Sequence, residues 1–122
     1  MSRAKKSAKP RLARLVARAL TLGAKKRGWG RLRAGVEMLR LAGDEHKGPS
    51  VALLRYRPGA KVPAHRHRGF EAIYVLEGAQ SDENGTYEAG TLVVNREGGG
   101  HSVWSDEGCL VLIVWERPIE FV

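Results

Sequence analysis

The sequence lacks several features that would place it in a class of protein at once. Its single cysteine, Cys109, excludes an intramolecular disulfide framework and a zinc site built only from cysteines of one chain. No apolar run approaches the roughly 20 residues that a membrane-spanning helix needs, so we predict no transmembrane segment. A serine–histidine–aspartate order, a phosphate-binding glycine loop and a convincing pair of catalytic carboxylates are also missing.

Acidic residues are absent from the first 36 positions, which hold twelve of the 21 lysines and arginines. Residues 37–122 hold nine basic residues against thirteen acidic ones, so the net charge of +8 comes from a basic arm. The remainder is mildly acidic and is not a basic nucleic-acid-binding domain. We therefore divide the chain into a basic extension and linker, residues 1–35, and one domain, residues 36–122.

The arm carries an apolar stripe at helical spacing, flanked by arginines. Pro10 favours a helix start and Gly23 a helix end, and residues 25–30 indicate a linker. Such a segment could lie on a nucleic acid or an anionic lipid surface, and we expect contact with these partners only through residues 1–35. A solvated extension that improves solubility and an organellar transit peptide stay open as alternatives. The stripe consists of Leu12, Leu15, Val16, Ala19 and Leu20.

From Val36 onward, short apolar or alternating runs are separated by turn residues. The Asn84-Gly85 pair favours a type I′ hairpin turn, and the run Leu110–Trp115 predicts a strand buried on both faces. Short strands with no helix between them predict an all-β sandwich or barrel. Because this core is small, pairing of two copies in a homodimer would stabilise it. The predicted strands are 36–41, 50–57, 71–77, 91–94, 101–104 and 110–115.

Three of the four histidines and one glutamate are spaced as a candidate metal site. His65 and His67 project from the same face of a strand because alternate residues share a face. Gly69 supplies a turn before Glu71 begins the next strand, and His101 starts a later strand after three glycines. Three imidazoles and one carboxylate form a ligand set that Zn, Fe, Mn, Ni or Cu would accept.

These spacings match the two motifs of the cupin superfamily. The first, G-x5-H-x-H-x3-E-x6-G, is met in full by Gly59, His65, His67, Glu71 and Gly78. The second, G-x5-P-x-G-x2-H-x3-N, is met by Gly90, Gly98 and His101, with Arg96 and Ser105 at the proline and asparagine positions.

Four further segments resemble the ChrR-type cupins: residues 73–78, 81–83, 87–90 and 107–109. That group includes the C-terminal domain of the ChrR anti-sigma factor and lies near the acetylacetone-cleaving and dihydroxyacetophenone dioxygenases. The resemblance implies a small antiparallel β-barrel of jelly-roll type. It also implies one divalent metal ion, Fe, Zn or Mn, held by His65, His67, Glu71 and His101.

The resemblance leaves two functions open. One is dioxygenase-like chemistry on a small chelating organic substrate such as a diketone, with catalytic residues that the sequence does not identify. The other is non-catalytic, ChrR-like sensing of a metal or small molecule, or a scaffold whose basic arm contacts an anionic partner. Residues 1–35 cannot supply a helical anti-sigma domain, so we do not expect direct anti-sigma activity. We expect a cytoplasmic protein.

Other polar and reactive residues receive simpler interpretations. Cys109 heads an apolar strand, which predicts a small core residue whose thiol pKa is raised. Arg55 or Arg57 could enter the barrel cavity and hold an anion. Strand alternation and turn position predict surface side chains at His46, Arg66, Arg68, Tyr74, Glu77 and Trp104.

Overall fold

The computed structural model describes residues 14–44, 46–118 and 120–121. Within these described residues, one short helix, α1 (Ala19–Gly23), precedes ten strands. The strands are β1 (Gly30–Arg33), β2 (Val36–Gly43), β3 (Ser50–Tyr56), β4 (Ala60–His67), β5 (Glu71–Asp82), β6 (Gly85–Glu88), β7 (Leu92–Asn95), β8 (Gly98–Ser105), β9 (Cys109–Trp115) and β10 (Glu120–Phe121). No helix among these residues is long and apolar enough to cross a membrane.

All ten strands belong to one antiparallel sheet, which runs in the order β10-β4-β8-β5-β9-β3-β2-β1. Strands β6 and β7 pair with β5 outside this path. The first residues of β5 pair with β7 and β9, whereas its last residues pair with β6 and β8. Because β5 takes part in both halves, the sheet curls into the nearly closed barrel that the sequence predicts.

Alternate residues of the central strands fill the barrel. Val75 and Val111 are fully buried, and Ile73 and Ile113 lie beside them in register. The outer face is also covered where β3 and β9 meet. There, Leu39, Leu53 and Leu110 are buried beneath Leu22 and Trp29, which explains the nearly continuous apolar run of β9.

The N-terminal region differs from the prediction in two respects. Helix α1 begins only at Ala19, so Leu15 and Val16 lie outside it, and Leu12 lies outside the described residues. The side chains of Leu15 and Val16 are 58% and 79% exposed. A helical stripe without a packing partner gains little stability. In addition, the end of the predicted linker forms β1, which pairs with β2.

The β5–β6 hairpin forms one residue earlier than the Asn-Gly pair predicts. Asp82 pairs with Gly85, so Glu83 and Asn84 make the two-residue loop. The side chain of Asp82 accepts a hydrogen bond from the backbone N–H of Asn84 at 2.8 Å, and this local turn favours the observed position.

Candidate metal centre

The strand register brings the predicted histidines and glutamate together. His65 on β4 lies directly opposite His101 on β8, and His67 follows on the same face of β4. Glu71 is the first residue of β5, after a turn that Glu116 holds in place. The Glu116 carboxylate accepts a hydrogen bond from the Phe70 N–H at 2.9 Å, and the Phe70 carbonyl accepts one from the Glu116 N–H at 3.0 Å.

A bulge in β4 sets the direction of both histidines. Val62 and His65 are buried although three positions separate them, whereas Pro63 and Ala64 are both exposed. The register against β8 shifts between Val62 and His65, which is the signature of a β-bulge. The carbonyl of Pro63 lies 3.0 Å from Nδ1 of His65, so the bulge also orients that ring.

The four side chains form a compact cluster, in which three are buried and His101 is half-buried. Their candidate ligand atoms all lie within 4.8 Å of one another, and the three imidazole centroids are 4.7–5.2 Å apart. Two atoms bound to one ion at about 2.0–2.2 Å are separated by at most about 4.4 Å. The cluster is therefore within roughly 0.4 Å of the span that a single ion requires.

Two ring nitrogens of the cluster are buried without a hydrogen-bond partner, namely Nε2 of His67 and Nε2 of His101. Nε2 of His67 lies 3.0 Å from Oε1 of Glu71, but the two are not aligned for a hydrogen bond. Unpaired buried polar atoms are uncommon in proteins because they lose their hydration without compensation. A metal ion would satisfy both nitrogens, so the residues present fit such an ion.

Glu71 is held by hydrogen bonds from outside the cluster. Trp115 donates its Nε1–H to Oε2 at 2.6 Å, and Asn95 donates from Nδ2 to Oε1 at 3.1 Å. Burial by itself raises the pKa of this carboxyl, but the close approach and charge of His67, together with these two donors, outweigh burial. The pKa of Glu71 lies below its ordinary value as a result, which favours the carboxylate that metal binding needs.

His101 faces a second carboxylate on its other side. Nδ1 of His101 lies 3.7 Å from Oδ2 of Asp82, a buried residue at the end of β5. Burial lowers the pKa of His101, and the neighbouring His65 and His67 lower it further, while Glu71 and Asp82 oppose the shift. The neutral imidazole, which is the ligand form, is thereby favoured.

The space beside the cluster is small. A cavity of about 20 Å³ is lined by His65 and Glu71 at one side and by Tyr56 and Gln80 among its other walls. This volume accommodates about one water molecule. Gln80 hydrogen-bonds to the phenol of Tyr56, whose pKa burial raises well above its ordinary value, so Tyr56 is a neutral hydroxyl facing the interior.

Comparison with known proteins decides the family. The model of the ChrR cupin-like domain family matches residues 18–119. The chain belongs to that family.

Two comparisons relate this ChrR-type cupin to an anti-sigma factor, ChrR. The anti-sigma-E factor ChrR of Cereibacter sphaeroides is 34% identical over 77 residues, which cover 61% of this chain and 36% of that protein. The chain therefore spans about a third of the length of this relative. In the crystal structure of Rhodobacter sphaeroides SigE in complex with the anti-sigma ChrR, the similar chain is 29% identical with a TM-score of 0.64, covering 71% of this chain and 47% of that one.

An acetylacetone dioxygenase from Acinetobacter johnsonii shares the fold with this ChrR-type cupin. The TM-score is 0.75 at 13% identity, and the match covers 93% of this chain and 81% of the dioxygenase. At this identity the likeness supports the barrel and carries no information about the reaction.

Outside the cluster of this ChrR-type cupin, one prediction is wrong. Neither Arg55 nor Arg57 enters the cavity beside the cluster. Arg55 instead lies on the outer face, where its guanidinium donates to the Glu37 carboxylate at 2.9 Å and to the Gly23 carbonyl at 3.0 Å, and stacks 4.0 Å from the ring centroid of Trp29. Arg57 is exposed and lines a separate groove with Arg31.

The remaining surface and core predictions agree with the structure. Cys109 is buried, and burial raises the pKa of its thiol to about 11. Trp104 is half-buried on the outer side of β8, with the ammonium of Lys61 5.8 Å from its ring centroid. The exposed side chains are His46, Arg66, Arg68, Tyr74 and Glu77, as predicted.

The sequence analysis missed three residues that contact the cluster: Asp82, Asn95 and Trp115. A signal existed for Trp115, because it alternates with the inward residues Val111 and Ile113 along β9. Asn95 reaches Glu71 only through the pairing of β7 with β5, which no local pattern reveals.

Proposed function

We propose that this ChrR-type cupin binds one divalent metal ion, Fe, Zn or Mn, through His65, His67, Glu71 and His101. The proposal rests on one observation: four suitable side chains converge in a buried cluster that leaves two ring nitrogens without partners. The family match supports the same assignment.

We further propose dioxygenase-like chemistry on a small chelating substrate such as a diketone. A bound redox-active ion would supply Lewis acidity and electron transfer at this site. The chain would supply the position of the carboxylate, held by Trp115 and Asn95, and an adjoining cavity lined mostly by apolar side chains. The carboxylate leaves a divalent site with a net charge of about +1, which favours an anionic substrate.

Metal analysis of protein purified without chelators tests the ligand assignment. We expect about one metal ion per chain in the wild type and a sharp loss in the His67→Ala and His101→Ala variants. His46→Ala is the matched control, because His46 is an exposed histidine outside the cluster. Full metal retention in both cluster variants would contradict the assignment.

Oxygen uptake with acetylacetone tests the reaction. If the protein contains iron, we expect substrate-dependent oxygen consumption that His101→Ala abolishes and His46→Ala leaves unchanged. Iron-loaded protein that consumes no oxygen with small diketones would contradict this chemistry while leaving metal binding intact.

The size of the cavity favours a second candidate, in which the metal site senses a metal or small ligand without catalysis. A cavity of about 20 Å³ has room for a water-sized molecule and not for a diketone. The similarity to an anti-sigma factor is consistent with such a role. Stoichiometric zinc and no oxygen uptake are the expected results for this candidate.

The proposal also covers the basic arm and the oligomeric state of the barrel. We propose that the part of residues 1–35 that precedes α1 contacts an anionic partner, nucleic acid or lipid, and that the barrel forms a homodimer in the cytoplasm. Binding through such an arm should weaken steeply with salt, because displaced counterions drive it. Removal of residues 1–17, which precede α1, separates its role from that of the barrel.

A further inference from the structure

Asp82 occupies an unusual position for a carboxylate. It is 8% exposed, and its two oxygens have different surroundings. Oδ1 accepts hydrogen bonds from the hydroxyl of Tyr87 at 2.9 Å and from the N–H of Asn84 at 2.8 Å. Oδ2 faces Nδ1 of His101 at 3.7 Å. One oxygen anchors the carboxylate, and the other is directed towards the histidine.

The hairpin that carries Asp82 is attached to the strand that carries His101. Oε2 of Glu83 accepts hydrogen bonds from the N–H of Ser102 at 3.0 Å and from its hydroxyl at 2.7 Å. Ser102 is the residue next to His101, and Asp82 pairs with Val103 in the strand register. The position of Asp82 relative to His101 is therefore fixed by contacts on both sides.

His65 and His101, which lie opposite each other on β4 and β8, each have an oxygen atom near Nδ1. His65 has the Pro63 carbonyl near Nδ1, and His101 has the Asp82 carboxylate near Nδ1. The Pro63 carbonyl is within hydrogen-bond distance of Nδ1 of His65 at 3.0 Å, whereas the Asp82 carboxylate, at 3.7 Å, acts on Nδ1 of His101 through its charge; both favour the tautomer with the proton on Nδ1. For His101 this leaves the lone pair on Nε2, the buried nitrogen that faces the cluster.

We propose that Asp82 is a positioning residue that fixes the tautomer and ring orientation of His101, so that Nε2 of His101 is presented to the metal. This inference rests on the proposed function, because it assigns a role to Asp82 in metal binding. It assigns no direct contact between Asp82 and the metal or a substrate.

The Asp82→Asn variant tests the proposal, since the amide is nearly isosteric but can present an N–H donor to Nδ1 of His101. We expect the affinity for Zn²⁺, measured by competition with a chromogenic chelator, to fall about 10–100-fold. Glu77→Gln is the matched control, because it removes the same charge from an exposed position on the same strand. Its affinity should equal that of the wild type.

Nitrogen-15 NMR of the histidine rings in metal-free protein provides a readout that a merely structural role would not change. At about pH 8, where the ring is neutral, we expect the Nδ1–H tautomer of His101 in the wild type. Asp82→Asn should populate the Nε2–H tautomer, and Glu77→Gln should not. Unchanged tautomer and unchanged Zn²⁺ affinity in Asp82→Asn would overturn the proposal.

Two further outcomes are distinguishable. If the wild type binds no metal, the proposed function fails, and the tautomer measurement alone decides whether Asp82 orients His101. If Asp82→Asn does not fold, Tyr87→Phe replaces it, because this variant keeps the carboxylate and removes one of its anchors. We expect Tyr87→Phe to weaken Zn²⁺ binding several-fold, less than the direct substitution, and no change would overturn the proposal.

Discussion

Glu71 is the residue on which the polar contacts of the site converge. It receives hydrogen bonds from Trp115 and Asn95, and it lies 3.0 Å from Nε2 of His67 and 3.9 Å from Nε2 of His101. A carboxylate buried to this degree is stable only when such donors replace its lost hydration. The geometry of the cluster therefore depends on residues that are not candidate ligands.

The Trp115→Phe variant tests whether the carboxylate of Glu71 depends on this donor. The change keeps an aromatic ring and removes the N–H donor to Glu71, and a hydrogen bond to a charged group is worth about 1.5–3 kcal/mol. We expect the free energy of unfolding at pH 7 to fall by that amount and the pKa of Glu71 to rise. Chemical denaturation measures the first effect.

The matched control is Trp104→Phe, which makes the same change in ring size on the outer side of the barrel. A loss of stability that is equal in the two variants would show that ring size, and not the hydrogen bond to Glu71, determines the effect.

At this scale, motif spacing predicted the four cluster residues, because the first motif places His65, His67 and Glu71 around one turn and the second places His101 on a later strand. The supporting residues were not predictable in the same way. Asp82 lies at the end of β5, and the Asn-Gly pair predicted a turn one residue away from the observed one. Its burial depends on pairing with β6 and β8, which is a property of the whole sheet.

Among the elements, β5 has the greatest influence on the site. It carries Glu71 at its first position and Asp82 at its last, and Gly78 lies between them with a φ of 71°. Its pairing partners change on either side of this glycine. A Cβ at Gly78 would overlap the carbonyl oxygen of Gly108, so the backbone is in close contact with the residue before β9 where β5 changes partners.

Gly78→Ala should therefore destabilise the barrel through two effects. The left-handed backbone costs a residue with a Cβ about 1–2 kcal/mol, and the overlap with Gly108 adds about 1–3 kcal/mol. Gly90→Ala isolates the first effect, because Gly90 has a φ of 93° and nothing within 4 Å of the added Cβ. Equal denaturation midpoints for the two variants would contradict the role given to close approach.

The strands of the barrel were largely predictable, whereas the N-terminal elements were not. Runs such as 50–57 and 110–115 carry their burial pattern in the sequence and form β3 and β9. Strand β1 (Gly30–Arg33) has little apolar content. It forms because the edge of β2 is available for backbone pairing. Its formation is a tertiary effect, and among the described residues the predicted stripe is helical only from Ala19, because Leu15 and Val16 have no such partner.

The outer surface of the whole molecule retains an uncovered apolar area. Tyr74 faces Leu92 across the β5–β7 pair, and Val94 lies beside them. These side chains are 40%, 61% and 56% exposed, respectively. The area continues the apolar outer face that Leu22 and Trp29 cover near β3, and we expect a second copy of the chain to cover it.

Light scattering after size exclusion should show a dimer for the wild type. The double variant Tyr74→Lys, Leu92→Lys should be a monomer, because two buried ammonium groups would cost more than the contact provides. Leu15→Lys with Val16→Lys is the control, since these apolar residues are more than half exposed but lie in the arm. A dimer that persists in the first variant would place the interface elsewhere.

The stability of the metal-free protein should fall as the pH decreases from about 7.5 to 5.5. Burial and the other histidines lower the pKa of His101 in the folded state, whereas in the unfolded chain it binds a proton near pH 6.5. Below that pH the unfolded state binds more protons, so the free energy of unfolding decreases. Urea denaturation at several pH values measures the slope, and His101→Gln should reduce it. The same slope in both proteins would contradict this origin.

The register that sets His65 opposite His101 has a mechanical consequence. The ligand set joins two parts of the chain that are far apart in sequence, so a bound ion would act as a crosslink. Closing a loop of roughly 35 residues in this way lowers the conformational entropy of the unfolded state. The loss raises the free energy of the unfolded state by about 4 kcal/mol, as a disulfide of that span would. A protein with one cysteine would thereby gain the kind of stability that a disulfide provides. Chelators would remove this crosslink, whereas reductants would not.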